Sequence, residues 1–145
     1  MKNKILSVVG YIDRVQILTN TQDFLIDNRV VDFTVTLIGG GGSKTILGNG
    51  LSGQLTKEAL NAAFLPRKVH VIIGGPGSNG SSGEPSAFGD ILVANGGMSG
   101  EANVNNKELS KGYLINNRYF GVGETDNQKA SKGVCIIEYK EPIFG

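Results

Sequence analysis

The sequence lacks tryptophan, contains only four prolines and has a single cysteine, Cys135. One cysteine excludes an internal disulfide and a zinc site built from several cysteines of one chain. Cys135 lies in the apolar run Val134-Cys135-Ile136-Ile137, where a buried and unreactive thiol is the ordinary interpretation. The shortage of proline excludes a proline-rich linker protein.

Strong charge of one sign and long apolar runs are also missing. The formal net charge is +1 and the 14 lysines and arginines are scattered, so no basic surface for nucleic acid is expected. No segment approaches the roughly 18 apolar residues of a membrane-spanning helix. The apolar stretch that begins at Ile5 is shorter than a signal-peptide core and is soon followed by Asp13 and Arg14. The sequence therefore predicts synthesis in the cytoplasm without a signal peptide, no nucleic-acid partner and no membrane insertion.

Glycine, by contrast, is abundant: 22 of the 145 residues are glycine, about twice the usual share. The length suits one domain with one core, and 39% hydrophobic residues are enough to build it. Short segments with the alternation of strands recur between the glycines, most clearly at 30–38, where Phe33, Val35 and Leu37 face one way. This spacing predicts an all-β fold, an antiparallel and jelly-roll-like β-sandwich with glycine-rich loops.

Further strands are predicted at 68–73, 88–94 and 133–139. Residues 1–28 are interpreted as an N-terminal attachment segment packed on the main domain, and residues 29–145 as the glycine-rich sandwich. The predicted core consists of Phe33, Val35, Leu37, Val69, Val71, Ile73, Phe88, Leu92, Val134, Ile136 and Tyr139.

One short helix is predicted over residues 56–65. Thr56 is suited to cap its start, Leu60 and Phe64 share a face, and Pro66 ends it. A helix of two to three turns needs tertiary packing to persist, so we expect it to cover one edge or end of a sheet.

Two glycine motifs match nucleotide-binding loops in spacing only. Residues 39–45 follow a strand, but Ser43 stands where a phosphate-binding loop needs glycine before Lys44, and no helix is expected afterwards. Residues 75–80 fit G-x-G-x-x-G, yet more loop follows them, so a pyrophosphate would lack a helix N-terminus. No cofactor is predicted.

No catalytic constellation stands out. His70 alternates with Val69 and Val71 and has no neighbouring run of cysteine, histidine or carboxylate, so it does not indicate a metal site. The aspartates are spread over different elements, and solvated surface is their ordinary interpretation. The sequence therefore predicts that this is not an enzyme and that it holds no metal.

Four segments occur in a characteristic order. A strand runs into a polyglycine stretch at 33–42, a second strand into a glycine loop at 69–77, a Ser-Ala-Phe-Gly turn into a strand ending Gly-Gly at 86–97, and a last strand ends in an aromatic at 133–139. Over residues 30–139 this order resembles the glycine-rich domain at the distal ends of phage tail fibres.

The resemblance implies a non-enzymatic structural component of a phage tail or tail-like particle, at a fibre tip or associated with the baseplate, in contact with the host surface. It also implies localisation in the virion or particle, and partners among other tail or baseplate proteins and further copies of the chain, as a trimer because fibres are commonly three-fold. A host glycan is an expected ligand. A free-standing carbohydrate-binding module is the alternative, and a hydrolase acting on cell-wall polymers is a third, weaker option.

Polar residues in the loop 74–85 and in 103–119 form the expected recognition surface. Amide side chains offer a donor and an acceptor to sugar hydroxyls, and tyrosines can cover a sugar's apolar face. An ordinary solvent-exposed loop remains the alternative for this stretch, which also contains Asn103, Asn105 and Asn106. The candidate residues are Asn79, Ser81, Ser82, Tyr113, Asn116, Asn117, Arg118 and Tyr119.

Overall fold

The computed structural model describes residues 7–27, 29–100 and 107–145. The strands in this part of the chain are β1 (Val8–Leu18), β2 (Gln22–Leu25), β3 (Asp32–Ile38), β4 (Leu55–Asn61), β5 (Lys68–Ile72), β6 (Ser86–Phe88), β7 (Leu92–Ala94), β8 (Tyr113–Ile115), β9 (Arg118–Phe120) and β10 (Val134–Phe144). All of their pairings are antiparallel, which confirms the predicted all-β fold. No helix within the described ranges is long and apolar enough to cross a membrane.

Eight strands form two four-stranded sheets that pack face to face. The first sheet has the order β1-β10-β3-β4 and the second has the order β2-β5-β6-β7. Alternation along β3 buries Phe33, Val35 and Leu37 between the sheets, in one cluster with Phe24 and Val71 of the second sheet. The core of the molecule lies between the two sheets.

The predicted helix over 56–65 is wrong. The chain forms strand β4 there, followed by a 3-10 turn at Ala62–Phe64. Asn61 caps this turn, since its Oδ1 accepts from Ala63 N at 2.8 Å. β4 pairs with β3 along its whole length. Helix propensity differs by only tenths of a kcal/mol per residue, so a backbone ladder with β3 and the packing of Leu60 on the core outweigh it.

The N-terminal strands belong to the two sheets. β1 pairs with β10 and β2 pairs with β5. Leu18, Phe24 and Ile26 are buried in the core, and the Phe24 ring meets Phe33 edge-on with the ring centroids 6.1 Å apart. The core therefore extends across the boundary that the sequence suggested between residues 28 and 29.

Beyond one end of the sandwich, the segments that connect the strands pack together as a glycine bundle. Its central segment, 39–43, continues directly from β3. Each of its neighbours is joined to it by at least one backbone hydrogen bond. The neighbouring segments are 50–54, 74–77, 81–84, 95–100, 121–124 and 131–133.

The hydrogen bonds of the central segment repeat every three residues. The N–H groups of Gly39 and Gly42 donate to one neighbour, at 3.0 and 2.9 Å. Those of Gly40 and Ser43 donate to a second neighbour, both at 3.0 Å, and that of Gly41 donates to a third at 2.9 Å. A period of three with bonds only to other segments is the pattern of a polyproline II-type helix, formed here by glycine.

Glycine is required at the centre because the segments approach too closely for a side chain. A Cβ on Gly41 would overlap the carbonyl oxygen of Val122, and a Cβ on Gly40 would overlap that of Gly75. These are backbone atoms and cannot move aside as a flexible side chain could. The bundle therefore depends on the absence of side chains rather than on apolar packing.

Buried serines satisfy polar backbone groups that the bundle does not pair. At the junction with the sandwich, Ser86 Oγ accepts from Gly74 N at 2.9 Å and donates to Ile38 O at 2.7 Å. At the other end, Ser43 Oγ accepts from Gly80 N at 2.6 Å. Because an unpaired buried polar group is costly, these hydroxyls help to stabilise the bundle.

The hairpin of β8 and β9 lies on the outer face of the first sheet, at the base of the bundle. Phe120 is buried there in a small cluster with Ile38 and Val134. Ile136, a predicted core residue, packs against this second cluster, because alternation along β10 turns it away from Ile137 and the main core.

Candidate functional site: the tip of the glycine bundle

Three described loops meet at the end of the bundle that is farthest from the sandwich, and we call them the tip. Because the central segment runs outward from β3 and a polyproline II-type helix rises about 3.1 Å per residue, the tip lies roughly 15 Å beyond the end of β3. The loops of the tip are 44–49, 78–80 and 125–130.

The loop 44–49 presents two apolar side chains to solvent. Thr45 and Gly48 form an isolated bridge, with N–H···O distances of 3.0 and 3.3 Å, and Ile46 and Leu47 occupy the turn between them. Thr45 Oγ1 holds the turn by accepting from Leu47 N at 3.1 Å and by donating to Gly100 O at 2.8 Å. The relative exposure is 103% for Ile46 and 57% for Leu47, so both are available for contact.

The loop 78–80 is a tight turn. Asn79 and Gly80 both have positive φ, 51° and 83°, and Ser81 N donates to Ser78 O at 3.0 Å. Asn-Gly is the preferred pair for such a turn because both residues tolerate the left-handed conformation. The Asn79 side chain is thereby presented beside the loop 44–49.

An ion pair joins the first loop to the third. Lys44 Nζ lies 2.6 Å from Asp126 Oδ1, and the backbone N–H of Lys44 donates to Glu124 Oε1 at 2.7 Å. The hydrogen bond between the two side chains raises the pKa of Lys44 and lowers that of Asp126. Both groups are open to water, so the pair orients the loops more than it stabilises the fold.

Between these loops lies an open hollow of about 740 Å³, lined by Lys44, Ile46, Asn79, Thr125 and Asp126 among others. It combines the apolar side chain of Ile46 with an amide, hydroxyl groups and an ion pair. Such a surface can bind a partner by apolar contact and hydrogen bonding.

Three of the residues predicted from the sequence lie at or beside the tip. Asn79 is in the turn itself. Ser81 Oγ donates to Ser78 O at 2.7 Å, and Ser82 Oγ accepts from Ser99 N at 3.1 Å. These two hydroxyls hold the loop, which leaves Asn79 as the polar side chain that is free to face a ligand.

The other predicted residues lie on the β8–β9 hairpin. Asn116 and Asn117 form its turn with positive φ of 49° and 63°, which is a structural reason for asparagine at both positions. Tyr113 packs on the cluster beneath, and the Arg118 guanidinium lies 5.1 Å from the Phe120 ring centroid. This hairpin is at the base of the bundle.

The predicted recognition residues therefore fall into two places separated by the length of the bundle. Tyr119 is exposed on the hairpin, far from Asn79 at the tip. The predicted contributors Asn103, Asn105 and Asn106 lie outside the described residues.

Sequence reasoning missed Ile46 and Leu47. They are the only apolar pair between the polyglycine run and Leu51, in the segment Ser43-Lys44-Thr45-Ile46-Leu47-Gly48. Two consecutive apolar residues in an otherwise polar, glycine-bounded loop were the available signal.

The single cysteine is buried, and the single histidine lies on the surface. Burial raises the pKa of the Cys135 thiol to about 12, which leaves it un-ionised at neutral pH. His70 Nδ1 lies 2.8 Å from Asp23 Oδ1 on the exposed surface of the second sheet. Within the described ranges, no group of three or more histidine, cysteine, aspartate and glutamate side chains could hold a metal ion.

The fold and the site together define an all-β protein in which a sandwich carries a bundle of polyglycine-type helices and a set of fixed loops. The chain matches the glycine-rich domain family over residues 18–140 and belongs to that family. Comparisons with curated proteins and with solved structures give no match.

Proposed function

We propose that this chain is a non-enzymatic structural component of a phage tail or tail-like particle, at a fibre tip or at the baseplate, and that its tip contacts the host surface. The particle is suggested by the resemblance of residues 30–139 to distal fibre domains. The observation that carries the contact is the exposure of Ile46 and Leu47, held at the end of the glycine bundle.

The bundle explains why such a contact could be effective. Loops that are fixed before binding lose little conformational entropy on binding. Most of the interaction energy of even a small surface then contributes to the affinity. Asn79 and the Lys44–Asp126 pair add hydrogen-bonding groups for a host glycan or protein. Further copies of the chain and other tail proteins are the proposed partners, and several copies on one particle would multiply a weak contact through effective concentration.

The test is binding of the labelled full chain to host cells, with a double variant Ile46→Ser and Leu47→Ser. We expect the double variant to bind at least about tenfold more weakly, because two apolar contacts worth roughly 1 kcal/mol each are removed. The matched control is Leu114→Ser, which removes a similarly exposed leucine (56%) from the hairpin. All variants should keep their melting temperature, since the sites are exposed.

Two results would contradict the proposal. One is equal loss of binding in Leu114→Ser and in the double variant. The other is absence of the chain from purified particles when they are labelled with antibody and viewed by electron microscopy. Specific binding of a glycan by a chain that is absent from particles would instead favour a free-standing carbohydrate-binding module.

A further inference from the structure

The first sheet ends in a long strand whose outer edge is open. β1 is an edge strand of 11 residues and, among the described residues, pairs only with β10. Large apolar side chains are exposed along it, including Val9 at 66%, Tyr11 at 62% and Val15 at 58%. Such an edge is a template for pairing with another strand.

The other edge strands of the two sheets are protected. β4 carries the exposed charges Lys57 and Glu58, and Thr56 Oγ1 donates to Val93 O on β7 at 3.0 Å, so this edge lies against the second sheet. β2 and β7 have only four and three residues. β1 alone combines length with apolar exposure, which sets it apart as an interaction surface.

Part of β1 also projects beyond the sandwich. The last pair between β10 and β3 is Tyr139↔Phe33, whereas β1 continues to pair with β10 as far as Val8↔Phe144. This two-stranded ribbon exposes apolar groups on both faces, with Phe144 on one and Ile143 on the other. Because a ribbon of two strands is marginal alone in water, a covering partner would stabilise it.

The register shows which backbone groups of β1 are free. Pro142 has no N–H, so its pair with Tyr11 cannot exchange two hydrogen bonds, whereas Ser7 and Gly145 do exchange them, at 3.4 and 3.1 Å. Hydrogen-bonded and non-hydrogen-bonded positions alternate along β10. Counted from Gly145, Pro142 and Lys140 fall on the non-hydrogen-bonded positions. The N–H and C=O groups of Tyr11 and Asp13 therefore point to the open side.

The charges of the ribbon are already paired within the chain. Arg14 Nε lies 2.6 Å from Glu141 Oε2, and Lys140 Nζ lies 3.7 Å from Asp13 Oδ1. The edge thus carries equal numbers of opposite charges. The edge therefore offers no net electrostatic attraction to a strongly charged partner. A strand that also carries equal numbers of opposite charges meets no net repulsion there.

We propose that a second copy of this chain covers the open edge, with the two β1 strands pairing antiparallel across a two-fold axis to make one continuous eight-stranded sheet. This deepens the self-association in the proposed function by naming its surface and symmetry. It does not depend on host contact. The tips then lie at opposite ends of the dimer, because antiparallel strands reverse the direction of the bundle.

The faces and the charges restrict the register, and the proposal takes the one centred on Ile12. A two-fold axis perpendicular to the sheet keeps each side chain on its own face. One residue of β1 must therefore lie opposite its own copy, with the axis passing between the two. An axis at Asp13 or Arg14 would place like charges opposite each other, which is unfavourable. With the axis at Ile12, Tyr11 faces Asp13 of the second copy, and their free backbone groups can bond.

The test measures the dimer dissociation constant of the full chain by sedimentation equilibrium, for the unaltered protein and for Tyr11→Asp and Tyr11→Lys. The two variants remove the same exposed ring and introduce charges of opposite sign. In Tyr11→Asp the new carboxylate faces Asp13 of the second copy, and symmetry repeats this repulsion. In Tyr11→Lys the new ammonium group forms an ion pair with that Asp13 instead. The dimer of Tyr11→Asp should therefore be about tenfold weaker than that of Tyr11→Lys. High salt should shrink this difference.

The expected result is a dimer that Tyr11→Lys retains and that Tyr11→Asp forms about tenfold more weakly, with equal melting temperatures of the two variants when they are monomeric. A strict monomer at high concentration overturns the proposal, as does a trimer, which would favour the three-fold assembly expected from the fibre resemblance. Equal weakening by both variants would also overturn it, because the Tyr11–Asp13 register would then be absent. None of these results changes the cell-binding test of the tip.

Discussion

At the scale of single residues, glycine has two distinct uses in this chain. At Gly41 it supplies space, because the oxygen of Val122 occupies the position of a Cβ. At Gly80, where φ is 83°, it supplies a backbone conformation that other residues rarely adopt. The first use depends on neighbours from distant parts of the chain, and the second depends on the local turn alone.

The first use leads to a prediction. Gly41→Ala should lower the free energy of unfolding by at least about 2 kcal/mol, because the new methyl group forces backbone segments apart. The control is Gly75→Ala in the same bundle, where the new Cβ would lie 2.9 Å from the flexible Glu84 side-chain Oε1 and otherwise in open space. Urea denaturation measures both variants. An equal loss of stability in the two variants would contradict the prediction, because the lower unfolded-state entropy of alanine favours folding in both and only Gly41 has the close backbone approach.

At the scale of elements, tight turns decide where one strand ends and the next begins. Residues 88–94 were predicted as one strand, but Gly89 has φ of 54° and Ile91 N donates to Phe88 O at 3.1 Å, so the chain turns and forms β6 and β7. In the β8–β9 hairpin the turn residues are asparagines, whose side chains suggested sugar binding.

The conformation of this second turn can be tested directly. Asn117→Ala should lower the free energy of unfolding by about 1 kcal/mol, because alanine tolerates positive φ less well than asparagine. Asn117→Gly should leave it unchanged or raise it slightly, since glycine is preferred at this position of the turn. Thermal and urea denaturation provide the measurement. If both substitutions destabilise equally, the amide side chain matters more than its backbone conformation.

At the scale of the whole molecule, the sandwich and the bundle share backbone hydrogen bonds and should unfold together. The junction bonds of Ser86 join Gly74 to Ile38, and the central segment continues from β3 without a break. The described residues of the bundle form no apolar core of their own, so its stability depends on these connections.

Native-state hydrogen exchange followed by NMR tests this coupling. The amides of Gly40, Gly41 and Gly42 should exchange only through global unfolding, with the same free energy as core amides such as Val35. The amide of Ile46, in the exposed turn, should exchange many orders of magnitude faster. Fast exchange at Gly41 would mean that the bundle opens independently of the sandwich.

The sequence by itself determined the all-β class and the strands of the core, because alternation of Phe33, Val35 and Leu37 is a local signal. It also marked the glycine runs as special. The helix prediction over 56–65 failed because propensity is weak compared with pairing to β3.

Only the tertiary structure decided that the glycine runs form a bundle and where its tip lies. A polyproline II-type helix has no internal hydrogen bonds, so no local pattern announces its partners. Glu124 N donates to Gly42 O at 2.9 Å across most of the chain, and such contacts are what bring the loops of the tip together. The exposure of Ile46 and the open edge of β1 were likewise decided by the tertiary structure, because exposure depends on what the rest of the chain leaves uncovered.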